Sequence, residues 1–213
     1  MSCRKGWELL VRAYLEEFSA REDVCLYLKT GYGSSTAEGQ EDQRLITYIL
    51  EILGRDPDRI PDVVLVNETL SNRQMPSLYC AADAFVLPSR GEAFGRSLME
   101  AMACGLPVIG TGWSGNTEFM TDSNSYLIDY ELVEVDEDAV DEDDRLEGHR
   151  WAEPSVDHLK LLLRKVYERR VEARDVGATG RERIEARFST DLIARQIEER
   201  IALLSSVEKT RRD

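Results

Sequence analysis

Residues 85–111 read FVLPSRGEAFGRSLMEAMACGLPVIGT, and this stretch decides the fold. The apolar run at 84–87 has the length of a buried strand and is stopped by Pro88. A loop holding Gly91 and Gly95 follows. Residues 95–104 then place Leu98, Ala101 and Met102 on one face of a helix that Gly105 and Pro107 close. Residues 107–109 form the next apolar strand. Strand, loop, helix, strand is the repeating unit of a parallel sheet, and such sheets bind ligands at the carboxyl ends of their strands. The helix starts at that edge, so its first free N–H groups, from about Arg96 to Leu98, form an anion site. Arg96 adds a fixed positive charge and Ser97 a hydroxyl. Glu92, just before the helix, is a carboxylate acceptor placed to face whatever rests on that end. Glu100 points nearly opposite the apolar face, and spacing alone makes it an exposed helix glutamate. Glu92 alone also reads as an unpartnered loop carboxylate.

The same alternation extends outward. Residues 7–18 and 41–53 have helical periodicity, through Leu10, Tyr14 and Phe18 in the first and Leu45, Ile49, Ile52 and Leu53 in the second. Residues 24–30 and 63–66 read as strands, the first ending at Gly31-Tyr32-Gly33 and the second apolar throughout, as expected of a strand covered on both faces. Residues 76–82 form a short helix, 116–120 a helical turn and 126–128 the last strand. Helices follow at 156–169, 173–187 and 190–204, with Ser189 as N-cap of the last. The expected class is therefore α/β, a Rossmann-like parallel sheet with helices on both faces. Residues 1–130 make its core, 131–150 an acidic loop and 151–213 C-terminal helices of the same domain. Only six residues precede the first helix, so the strand expected before it is missing. In the doubly wound order 3-2-1-4-5-6 that strand is internal.

Composition narrows the function classes. The 213 residues are 42% hydrophobic, enough to bury a core, and carry a formal charge of −14. Residues 131–147 hold ten acids and one base, a net of −9 that leaves −5 for the rest. No basic footprint exists for nucleic acid, and the acidic run reads as a solvated loop. No apolar run is long enough for a transmembrane segment. The four cysteines, Cys3, Cys25, Cys80 and Cys104, are irregularly spaced, which suits reduced thiols in a cytoplasmic compartment. Two histidines, His149 and His158, cannot make a His-rich metal centre. No metal ligand set is expected.

The spacing Glu92–x7–Glu100, followed by AMACGLPVI, resembles the E-x7-E signature of the retaining GT-B glycosyltransferases of family 4 (glycosyl transferases group 1). The likeness runs in register over about thirty consecutive positions and points to the C-terminal, donor-binding half of a GT-B fold. It implies transfer of a sugar from a nucleotide diphosphate sugar to a hydroxyl acceptor (glycan, lipid or small molecule), with no cofactor required. Under the resemblance Glu92 lies against the donor sugar and takes the catalytic position, Glu100 binds the ribose, and the loop backbone from Ala93 through Phe94, Gly95, Arg96 and Ser97 to Leu98 holds sugar hydroxyls and diphosphate. Lys5, before Gly6, is similar to the family's basic residue on the diphosphate. Leu70, after the strand at 63–66, is a base contact. The acceptor belongs to an N-terminal domain that these residues have no room for. The rival is therefore a non-catalytic nucleotide-binding module, or a split half-enzyme that needs a partner.

One pattern imitates another chemistry. Gly110, Gly112 and Gly115 spell GxGxxG after a strand, with Asp129 ending the next one, as in NAD-binding dehydrogenases. Two features argue against that reading: no strand is expected after Ile128, and the helix after Gly115 is short. The glycines instead let the backbone approach the ligand, with Glu118 bracing their loop. Asp136/Asp138 and Asp141/Asp143 look like metal-binding DxD pairs but sit in the acidic run rather than at a strand end.

Overall fold

The computed structural model describes residues 2–30, 40–56, 59–135, 139–140 and 146–210. Gly31, Tyr32 and Gly33 and the acidic pairs Asp136/Asp138 and Asp141/Asp143 lie outside them. A short 3-10 turn, Cys3–Lys5, leads into α1 (Trp7–Glu17), and β1 (Cys25–Lys29) follows. Helix α2 (Gln40–Thr47) runs on into a π-turn, Tyr48–Ile52, and then β2 (Asp62–Val66). Next come α3 (Met75–Cys80), β3 (Phe85–Leu87), α4 (Arg96–Ala103), β4 (Val108–Thr111), a 3-10 turn at Gly115–Glu118 and β5 (Tyr126–Ile128). The chain closes with β6 (Tyr130–Glu134), β7 (Arg150–Pro154), α5 (Val156–Glu168), α6 (Arg170–Phe188) and α7 (Thr190–Thr210).

The α/β expectation holds, with parallel strands flanked by helices. The pairs β1/β2, β3/β4 and β4/β5 are all parallel. The sheet is nonetheless in two pieces, β1–β2 and β3–β4–β5, with no hydrogen bond joining β1 to β3 among the described residues. The break falls where the doubly wound order places the missing strand. Helix α1 bridges it. Leu10, Val11, Tyr14 and Leu15 pack as one cluster with Leu28 of β1 and Val86 of β3, and the Tyr14 hydroxyl donates to the Asp62 carbonyl at 3.0 Å. Burying such side chains contributes about 1.5–3 kcal/mol each, so this face of the break is held by packing rather than by a backbone ladder.

Two strands appear beyond the expected last one. The strands β6 and β7 pair antiparallel, from Tyr130 with Pro154 to Glu134 with Arg150. Short apolar pairs meet across them: Leu132 faces Ala152 and Val133 faces Trp151 in register. The acidic residues around them had masked these apolar pairs. Ser189 sits at the N-cap position of α7 as expected, extended and with its carbonyl accepting the Ile193 N–H, and Ser155 caps α5 with its side chain, which accepts the His158 N–H. Helix α6 begins three residues earlier than expected and packs against α4 through Ile184.

Candidate functional site

The site gathers at the carboxyl end of β3. Gly6 holds φ +64°, and a Cβ there would lie 2.0 Å from the Pro88 carbonyl oxygen, so only glycine fits. The Arg90 N–H donates to the Arg4 carbonyl at 2.8 Å. Together these contacts press residues 4–6 onto the strand end and bring Lys5 Nζ to 2.6 Å from Glu92 Oε1, with Arg4 Nη1 at 3.6 Å. Glu92 is nearly buried, its side chain 8% exposed. Two residues predicted 87 positions apart thus meet directly.

A second loop clamps the first. The Glu92 N–H donates to Ser114 Oγ at 2.8 Å, and the Gly115 N–H donates back to the Glu92 carbonyl at 3.0 Å. A Cβ on Gly115 would sit 2.1 Å from the Ala93 oxygen. The glycine-rich segment therefore serves close packing of two loops. Only a four-residue 3-10 turn follows Gly115, so the helix N-terminus that a dinucleotide fingerprint requires is absent there. The bracing expected of Glu118 is made by Ser114, because Glu118 is exposed and Ser114 lies against the loop.

Ala93, Phe94, Gly95 and Arg96 line a cavity of about 560 Å³ beside Glu92. The first intrahelical bond of α4 runs from the Met99 N–H to the Gly95 carbonyl, so the amides of Arg96, Ser97 and Leu98 precede it. The Leu98 side chain is wholly buried in the core and offers only its backbone. Glu100 stands on the same helix, 43% exposed. It accepts the Tyr79 hydroxyl at 3.2 Å, and Arg96 approaches its other oxygen at 3.4 Å. Burial, and then the Glu100 charge, push the Tyr79 phenol up, so it stays a proton donor. Leu70 is half-buried beyond β2 and does not line the cavity, and neither do Lys5, Ser97, Leu98 or Glu100.

Two contributors had no sequence signal. Arg90, one residue before the Gly91-Glu92 loop, is buried. Its guanidinium grips Glu153 through two bonds of 2.6 and 3.0 Å, pairs with Glu8 and the Cys3 carbonyl, and lies 4.9 Å over the Trp151 ring. Burial alone would lower its pKa; the bonds to Glu153 and the Glu8 charge override this and hold it fully charged. Burial pushes the Glu8 carboxyl up, against the pull of Arg90. Arg90 thereby ties the N-terminal turn, α1, β3 and β7 into one unit. The second contributor is the β6–β7 hairpin, whose Leu146, His149, Arg150 and Trp151 line the same cavity as Glu92 and Trp113. Nothing in the charge run at 131–147 suggested a wall. Only the short apolar pairs Leu132-Val133 and Trp151-Ala152 could have.

Comparison with known proteins places this geometry. Residues 1–141 match the family model described as glycosyl transferases group 1. The chain is 32% identical over 112 residues to D-inositol 3-phosphate glycosyltransferase 1 of Catenulispora acidiphila, covering 52% of this chain and 26% of that protein. It is 26% identical over 204 residues to the GDP-mannose-dependent monoacylated alpha-(1-6)-phosphatidylinositol monomannoside mannosyltransferase of Corynebacterium glutamicum, covering 91% and 43%. Among solved structures, sucrose-phosphate synthase of Thermosynechococcus elongatus superposes with TM-score 0.69 at 26% identity, covering 97% of this chain and 44% of that one. HepE of Anabaena, solved with UDP and glucose, superposes with TM-score 0.69 at 20% identity, covering 95% and 46%. The chain therefore spans less than half the length of these relatives. The family model spans residues 1–141, more than half of the chain, and the chain belongs to the glycosyl transferases group 1 family.

Proposed function

We propose that this chain is the donor-binding, C-terminal half of a retaining GT-B glycosyltransferase of family 4. It holds a nucleotide diphosphate sugar whose hexose-type sugar passes to a hydroxyl acceptor. The observation that carries this is the Lys5–Glu92 pair at 2.6 Å beside the start of α4, in a member of the group 1 family. On donor binding the pair exchanges partners: the ammonium turns to the diphosphate and the carboxylate to sugar hydroxyls. Lys5, Arg96 and the α4 N-terminus meet the charge that develops on the departing diphosphate, which lowers the barrier electrostatically. The departing phosphate takes the proton of the incoming hydroxyl, and that hydroxyl bonds to the anomeric carbon on the face the phosphate leaves. Glu92 positions the sugar and forms no bond to it. Glu100, oriented by the Tyr79 hydroxyl, receives the ribose hydroxyls, and Leu70 reaches the base. The UDP-glucose bound to HepE supports a nucleotide sugar as donor. The four cysteines form no disulfide among the described residues, in keeping with a cytoplasmic setting. No described helix is long and apolar enough to cross a membrane.

A second reading is favoured by the broken sheet: residues 1–213 are a half-enzyme, completed by a strand between β1 and β3 and by an acceptor domain. One experiment addresses both readings. UDP, GDP and ADP are titrated by calorimetry into the chain alone and into a form carrying a five-residue Val/Ile strand and short linker fused before Met1. Weak binding of one nucleotide, tightened by the strand and lost in Glu100→Ala, is expected. Absence of binding to either form sinks the donor reading. Robust sugar transfer by the unfused chain sinks the half-enzyme reading. A covalent glycosyl adduct on Glu92 contradicts the positioning role. NAD binding that disappears in Gly112→Ala, a substitution with no Cβ contact closer than 3.5 Å, revives the dehydrogenase alternative.

A further inference from the structure

Ser114 is the one non-glycine residue with positive φ among the described residues. Its φ of 68° and ψ of −155° lie in a region that glycine enters freely and a side chain enters under strain. Its neighbours hold it there. The Ser114 carbonyl accepts both the Thr117 N–H at 3.0 Å and the Thr117 hydroxyl at 2.7 Å. The next residue, Gly115, is locked against Ala93. What the conformation gains is the placement of Oγ, 2.8 Å from the Glu92 amide nitrogen. Glycine at 114 would remove the strain but leave that N–H without its acceptor. Alanine would keep the strain and lose the bond as well.

We propose that Ser114 is a positioning residue that sets the backbone of Glu92, and through it the carboxylate that meets the donor sugar. The inference rests on the donor role proposed for Glu92. Three contacts fix Glu92 in three directions: its N–H to Ser114 Oγ, its carbonyl to the Gly115 N–H, and its carboxylate to Lys5. While the second still holds the Glu92–Ala93 peptide plane, removing the first frees the Gly91–Glu92 plane to tilt. A tilt there carries the carboxylate away from sugar hydroxyls without disturbing Glu100 and the start of α4, where the nucleotide is held. Ser114 therefore acts on affinity for the sugar and leaves affinity for the bare nucleotide alone.

The test compares Ser114→Gly and Ser114→Ala with the parent chain by three measurements. Amide exchange at Glu92, in protein without ligand, should accelerate in both variants by about fivefold or more, the worth of one hydrogen bond. The alanine variant should melt below the glycine variant, the reverse of the order at ordinary positions. Affinity for the sugar nucleotide should fall by about fivefold in both, with affinity for the matching nucleoside diphosphate unchanged. Unaltered exchange at Glu92 in both variants overturns the proposal. So does a parallel fall in both affinities, which marks a merely structural serine. A parent chain that binds neither ligand counts against the donor reading, while the exchange comparison still decides whether Ser114 holds Glu92.

Discussion

The two pieces of the sheet are built differently. In β3–β4–β5 every residue of β4 is buried, with Val108 and Ile109 fully so, and the loops at the strand ends interlock through positions where a single methyl group would collide. In β1–β2 only one face is covered by the described residues: Leu28 packs under α1, while Tyr27 and Val64, partners in register, are 60% and 39% exposed. The contrast teaches where specificity of structure is concentrated. The piece that carries Glu92 and Glu100 is defined by close backbone approach, and the other by an amphipathic helix laid across two strands. Close approach tolerates no added atom, whereas a half-covered strand tolerates most.

The sharpest way to break the contrast is Gly115→Ala. The new methyl would sit 2.1 Å from the Ala93 oxygen, so the two loops must separate. We expect a loss of about 3 kcal/mol or more in urea unfolding, at the upper end for single substitutions, together with loss of any nucleotide-sugar binding. Wild-type-like unfolding would mean that the loops are not locked as described. Next is Arg90→Met, which leaves Glu8 and Glu153 without their shared cation. Removing one member of a buried ion-pair group typically costs about 3–5 kcal/mol. Solvent reaches Glu153, whose side chain is 36% exposed, so about 2–3 kcal/mol is expected here. Adding Glu8→Gln should recover part of it, because Glu8 is already pushed toward its neutral form by burial. A paired comparison then tests the two pieces directly. Ile109→Ala should cost about 2–5 kcal/mol, and Tyr27→Thr within about 0.5 kcal/mol. Comparable losses from both would show that the exposed face of β1 is covered in solution.

Legibility of the sequence follows the same division. The order of strands and helices, the α4 amphipathic face and the break before β3 could all be read, because each rests on periodicity, glycine and proline punctuation or topology, which are local. Glu92 was singled out by its place between a strand end and the start of α4, whereas Lys5 rested on the family resemblance and spacing alone left Glu100 idle. Arg90 could not be found. A lone arginine in a loop looks solvated until the fold brings Glu8 and Glu153 to it from 82 and 63 residues away. The β6–β7 hairpin was hidden for a different reason. Its two strands are interrupted by an acidic run whose composition dominates any window that includes them. Ser114 was missed because its importance lies in a backbone angle, and no side-chain pattern announces that a serine occupies a position suited to glycine.

The smallest effect concerns the helix that bridges the two pieces. Arg164 of α5 reaches Glu17 at the end of α1 and Glu22 in the turn beyond it, each at 2.6 Å, and Lys160 reaches Glu16 at 3.1 Å. Hydrogen bonds from Arg164, and then from the Ser19 backbone, hold the Glu22 carboxyl down at about 2, against an ordinary 4.5. A depressed folded-state pKa means that the unfolded chain binds the proton more readily. The stability this group contributes is therefore complete above about pH 4.5 and is lost as pH falls toward about 2. Glu22→Gln should lower the melting temperature modestly near pH 6, by about 1–2 °C. The gap from the parent should shrink below about pH 4.5 and close near pH 2. Because the staple lies far from the cavity, nucleotide affinity at neutral pH should not change. A gap that stays constant from about pH 6 to pH 2 would show that Arg164 does not hold α1 by charge. The bridging of the two pieces would then rest on the apolar contacts of Leu10, Val11, Tyr14 and Leu15 alone.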